Sequence, residues 1–121
     1  MSAAGFLAEV VTSSNAVSAD SLADRLRVTK SELAAAIGMS RESVSKVARA
    51  NSPSVQARLR EMTEILNRVL PWAGSELAAF AWYRSQPLPS FGDLTAEDLV
   101  RAGRAEAVKS YLSRIAEGGY A

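Results

Sequence analysis

Between Lys30 and Arg49 the sequence KSELAAAIGMSRESVSKVAR meets almost every positional demand of two crossed helices joined by a glycine turn. With Gly38 in the turn, Leu33, Ile37, Met39, Val44 and Val47 fall where such a pair buries its apolar side chains, and Ala34 falls where the two backbones approach most closely. Thr29 followed by Glu32 reads as a capping box opening the first helix, and Ser40 stands where an N-cap opens the second. Nothing in the segment breaks either helix, so the pattern predicts two uninterrupted helices in a helix-turn-helix arrangement.

The rest of the chain extends this helical character. The helix formers Ala, Leu, Glu and Arg are abundant, period-two Ile/Val/Thr runs are missing, and long apolar patterns follow helical spacing, so an all-α fold is expected. A short N-terminal helix precedes a Ser/Thr/Asn-rich loop over residues 11–19, and a further helix runs from Asp20 to Arg27. Ser52-Pro53 is an N-cap followed by proline at the first helical position, and opens a long helix with Val55, Leu59, Met62, Ile65, Leu66 and Val69 along one stripe. Pro71 is expected to end it. The next helix, with Leu77, Phe80, Ala81 and Trp82, is apolar on several sides and is expected to lie centrally. Gln86 to Gly92 holds two prolines and a glycine and reads as a turn packed on the helices through Leu88 and Phe91. Thr95 with Asp98 caps a short helix that Gly103 stops, and residues 104–117 form the last helix, with Val108, Tyr111, Leu112 and Ile115 inward.

Composition removes several classes of function. The 121 residues contain neither cysteine nor histidine, which excludes disulfides, imidazole or thiolate metal sites and the commonest catalytic bases. Asp93, Glu97 and Asp98 form a local carboxylate cluster, but acids in the first turn of a helix are what capping and the helix dipole favour, so no enzyme, cofactor or metal is expected. The segment MSAAGFLAEVV lacks the basic start and long apolar core of a secretion signal, and no run approaches the ~18 apolar residues of a membrane span, so a cytoplasmic location is expected.

Net charge is only +1, yet it is unevenly spread: residues 1–60 carry eight Lys/Arg against five Asp/Glu, and residues 61–121 six against eight. The basic half contains the helix-turn-helix, as a phosphate-contacting module requires. In such a module the second helix enters the major groove, which here nominates Ser40, Arg41, Glu42, Ser45, Lys46 and Arg49 for DNA contact. Arg41 suits a bidentate bond to guanine and Glu42 can accept from cytosine, while Ser45, Lys46 and Arg49 suit mixed base and phosphate contacts. A single module binds weakly, so specific recognition predicts a homodimer on an inverted repeat of operator DNA.

A DNA-binding module needs little beyond residue 70, and the remaining residues are too apolar for a tail. The run LPSFGDLTAEDLVRAGRAEAVKSYLSRIAEGGYA, with Trp82 upstream, resembles the C-terminal toxin-binding domain of the Xre/MbcA/ParS antitoxin family. The resemblance rests on Trp82, Pro87 and Pro89, Gly92, Thr95, Leu99-Val100, Gly103 and Gly118 in that order. The chain departs from the common pattern in carrying Val47-Ala48 where many members have an aromatic residue and Ala96 where many have proline. The resemblance implies an N-terminal Xre-like helix-turn-helix region over 1–52 packed on a small helical toxin-binding and dimerisation domain over 53–121. It implies an antitoxin, itself no enzyme, whose partner is a RES-domain toxin that consumes NAD or ADP-ribosylates with it. It also places Tyr111, Arg114, Glu117, Gly118, Gly119, Tyr120 and Ala121 against the toxin, where the last helix and tail obstruct the substrate pocket. Glycines permit close backbone approach, Tyr120 offers an amphipathic anchor, and a terminal carboxylate offers an anion to an arginine-lined site.

Two other classes fit parts of the pattern. One is a stand-alone repressor whose C-terminal half dimerises or binds a small ligand among Trp72, Phe80, Trp82 and Tyr83. The other is an interaction module without DNA affinity.

Overall fold

In the computed structural model of the protein, which describes residues 3–12 and 15–118, several helices begin on a serine or threonine whose hydroxyl caps them. Helix α1 (Ala3–Val10) leads into a reversal in which Val11 and Val17 pair as one antiparallel bridge. Helix α2 (Ala19–Leu26) starts on Ser18, whose hydroxyl accepts from the Ser21 N–H, and α3 (Lys30–Ala36) starts on the expected Thr29/Glu32 capping box. There follow α4 (Arg41–Ser45), α5 (Val47–Ala50), α6 (Pro53–Ala73) and α7 (Glu76–Ser85). A single 3-10 turn (Pro89–Phe91) then leads to α8 (Ala96–Arg101), opened by the Thr95/Asp98 capping box, and to α9 (Ala105–Gly118). The fold is all-α, as the apolar spacing predicts.

The core is organised around α6, which touches α1, α5, α7, α8 and α9. Its stripe of Val55, Leu59, Met62, Ile65, Leu66 and Val69 is buried throughout, because a 21-residue helix passing through the middle of a small bundle is covered along its length. The sequence pattern favoured α7 for that central place, and the structure corrects it. Helix α7 lies on the flank against α2, α6 and α8, burying Ala79, Phe80 and Tyr83 while Leu77 and Ala81 face solvent and Trp82 is half-buried.

Pro71 does not end α6. The helix continues to Ala73 and closes at Gly74 in the left-handed region (φ 90°), whose N–H donates to the Leu70 carbonyl at 2.9 Å. In the last turn a proline removes only the bond its own N–H would have made, to Asn67, so the helix survives it.

One continuous cluster of buried side chains joins the N-terminal elements, through Leu22, Leu33 and Ile37, to the C-terminal ones, through Leu99, Val108 and Leu112. Gln56 reinforces the join: its side chain accepts from the Val17 N–H at 2.8 Å and donates to the Val17 and Ala50 carbonyls at 3.0 and 2.7 Å. The proline-rich turn packs as expected, with Leu88 buried and bridged to Leu94, and Phe91 set edge-on to Tyr111 at 5.9 Å. Among the described residues no helix is long and apolar enough to cross a membrane.

Candidate functional site

Helix α3, the turn at Gly38 and α4 occupy the segment in which the sequence pattern predicts a helix-turn-helix. Leu33, Ala34, Ile37 and Val44 are buried and Met39 is half-buried, as the crossing requires. The second helix departs from expectation. Lys46 is extended (φ −108°, ψ 134°) and splits it into α4 and α5, and Val47 is 68% exposed instead of buried. The segment Ser40-Arg-Glu-Ser-Val-Ser explains the break. Serine is a weak helix former, the Ser45 hydroxyl donates back to the Arg41 carbonyl at 2.7 Å, and such back-bonding bends helices. Ser40 occupies the N-cap position but spends its hydroxyl on Ser43 Oγ, 3.0 Å away, and makes no side-chain cap.

All six nominated DNA-contact residues, Ser40, Arg41, Glu42, Ser45, Lys46 and Arg49, are exposed on these two short helices and the residue between them. The break sets Lys46 and Arg49 in a different phase from Arg41 than one continuous helix would.

The turn is seated on the C-terminal half. Gly38 has φ 73°, and a Cβ there would lie 3.2 Å from the Arg101 Cα and 3.3 Å from its Cβ. The carbonyls that end α3 find their donors in the same half. The Tyr83 hydroxyl, fully buried, donates to the Ala36 carbonyl at 2.7 Å, and Arg58 Nη1 donates to the Ile37 carbonyl at 3.3 Å and to Val100 at 2.5 Å. A helix end leaves its last carbonyls without intrahelical partners, so these contacts cap α3 from α6 and α7. Burial, with the nearby Glu97 and Glu61 carboxylates, pushes the Tyr83 phenol well above its ordinary pKa and keeps it a donor.

The carboxylates Asp93, Glu97 and Asp98 have separate occupations. Asp98 accepts from the Thr95 N–H at 3.0 Å in the capping box, Glu97 faces Arg84 Nε at 3.4 Å, and Asp93 sits in the turn with φ 67°. Desolvation raises the Glu97 pKa in spite of Arg84. Among the described residues no three acidic side chains converge as metal ligands would.

Of the residues nominated for toxin contact, Arg114, Glu117 and Gly118 are exposed on the last turns of α9, whereas Tyr111 is only 8% exposed and is committed to Phe91. Gly119, Tyr120 and Ala121 lie outside the described residues. The aromatic residues suggested as a ligand pocket are dispersed. Phe80 and Tyr83 stack in the core at 6.1 Å, Arg84 lies 5.3 Å over Phe80, and Trp72 stands apart on the last turn of α6. Sequence reasoning missed Tyr83 and Arg58 as caps of α3, because neither bears a local signal: their partners are 47 and 21 residues away.

Fold and surfaces together define an all-α protein in which the α3–α4 helix pair is fastened to a C-terminal helical assembly. Residues 66–118 match the antitoxin Xre/MbcA/ParS C-terminal toxin-binding domain. The matched segment runs from within α6 to the end of α9, and its similarity to this domain supports an antitoxin role with a toxin as partner. Searches among curated proteins and solved structures returned no match.

Proposed function

We propose that this chain neutralises a RES-domain toxin, one that consumes NAD or uses it for ADP-ribosylation, and represses its own operon. The observation that carries the proposal is the toxin-binding domain match over residues 66–118, which spans α9 and the elements that hold it. In this reading Arg114, Glu117 and Gly118, with Gly119, Tyr120 and Ala121 beyond them, lie across the toxin's substrate cleft, and Tyr111 holds the helix in place from beneath. Residues 1–52 act as the DNA-reading region and 53–121 as the toxin-binding and dimerisation domain. Exposed Ser40, Arg41, Glu42, Ser45, Lys46 and Arg49 support operator contact by a homodimer, which presents two reading elements to an inverted repeat.

The test is co-expression with the protein encoded beside this chain, scoring growth, co-purification and cellular NAD. Rescue from an NAD-depleting product with a stable complex supports the proposal. Absence of both toxicity and complex would leave a stand-alone repressor, the reading that the exposed helix-turn-helix favours when taken alone.

A further inference from the structure

Among the described residues four large apolar side chains are substantially exposed, and Trp72, at 50%, is the largest of them. It borders a groove of about 280 Å³ between the end of α6 and α9, walled by Arg68, Pro71 and Trp72 on one side and by Leu112, Ser113 and Ala116 on the other. The walls are held apart at a fixed distance: Arg68 Nη1 donates to Ser113 Oγ at 2.8 Å and to the Lys109 carbonyl at 3.3 Å. Leu112 is buried at its base, so the groove is an apolar cleft present before any partner arrives.

We propose that this groove is a second docking site for the toxin, with Trp72 as its anchor against an apolar side chain of the toxin surface. The inference rests on the antitoxin reading and extends it, since that reading puts contacts only on α9 and the residues after it. Two observations choose the occupant. All six lining residues fall inside residues 66–118, the segment matched to a domain defined by toxin binding. Helix α9 also supplies one wall of the groove and, a turn or less away, the exposed Arg114, Glu117 and Gly118, so a protein engaging the end of α9 meets Trp72 on the same approach. Exposed tryptophan in a preformed cleft is the commonest kind of binding hot spot, because it brings a large apolar area at little cost in side-chain freedom.

The test uses the full chain and the product of the adjacent gene. Trp72→Ala is expected to melt as the parent does and to weaken the complex at least about tenfold, in line with loss of a hot-spot tryptophan. Ala116→Arg, which fills the groove from an exposed position, should weaken it comparably. In a Trp82→Phe background Trp72 is the sole tryptophan, and its emission should shift to the blue when the toxin binds. Unchanged affinity in both groove variants, or an unshifted emission, overturns the proposal while leaving the antitoxin role intact. If Trp72→Ala instead turns a dimer of the chain into monomers and each monomer keeps its toxin affinity, a second copy fills the groove and the proposal is wrong. Failure of the parent chain to bind that product removes the antitoxin reading itself, and is told apart because it appears without any substitution.

Discussion

Tyr83→Phe deletes one oxygen and, with it, the donor that the Ala36 carbonyl uses at the end of α3. Tyr83 and Ala36 are both fully buried, so water does not replace the lost bond, while the ring keeps its packing against Phe80. Leaving a buried carbonyl without its donor costs about 1–3 kcal/mol, and the middle of that range corresponds to a fall in Tm of roughly 5–10 °C for a chain of this size. The pH dependence supplies a second, independent signature. The folded phenol has a pKa raised above its ordinary value near 10, so it stays neutral where the unfolded chain begins to ionise. Stability held this way is complete below pH 10 and is lost as pH rises beyond it, at about 1.4 kcal/mol per pH unit. The gap between parent and Tyr83→Phe should therefore narrow by about 1 kcal/mol between pH 10 and 11, where the unfolded phenol is still completing its ionisation. Urea melts at pH 7, 10 and 11 measure both effects. A difference below about 0.3 kcal/mol at pH 7, against the expected 1–3, or a gap that stays constant in alkali, would refute the assignment of this hydroxyl as the cap of α3.

Two further substitutions and one truncation test other parts of the structure. Gly38→Ala places a Cβ 3.2 Å from the Arg101 backbone at φ 73° and should destabilise by about 2–3 kcal/mol; a thermal melt within about 0.5 kcal/mol of the parent would contradict the seating of the turn on α8. Arg41→Ala should lower operator affinity about ten- to a hundredfold and relax sequence preference while neutralisation is kept, and unchanged binding by fluorescence anisotropy would remove Arg41 from the reading surface. Deleting residues 118–121 should weaken neutralisation and leave the melting curve alone, since the buried stripe of α9 ends before them; full growth rescue by the shortened chain would rule out cleft blockade by the tail.

The α3 helix with its glycine turn, both capping boxes, the Ser52-Pro53 start and the inward stripe of α9 were legible because each is a local pattern, set by residues three or four positions apart. The departures arise where distant contacts or competing local bonds decide. Val47 belongs to the buried set of an uninterrupted helix, but the back-bond from Ser45 and three serines in six residues let Lys46 become extended, and the side chain turns outward. Central placement of α6 over α7 depends on which helix the others pack around, which hydrophobicity alone does not encode. The caps supplied by Tyr83 and Arg58, and the groove beside Trp72, form between elements far apart in sequence.

Helix α6 belongs to both halves at once. It begins against α5, and its second part lies within the toxin-binding domain that starts at residue 66. Its 21 residues make a stiff rod of about 31 Å, so the exposed α4–α5 segment and the end of α9 are set at a fixed angle and distance, like two marks on one ruler. Exchanging the N-terminal part for that of another chain by joining sequences near residue 65 is therefore a problem of helical phase. One residue gained or lost at the junction rotates one half against the other by about 100° and shifts it by about 1.5 Å, whereas a change of seven nearly restores the alignment.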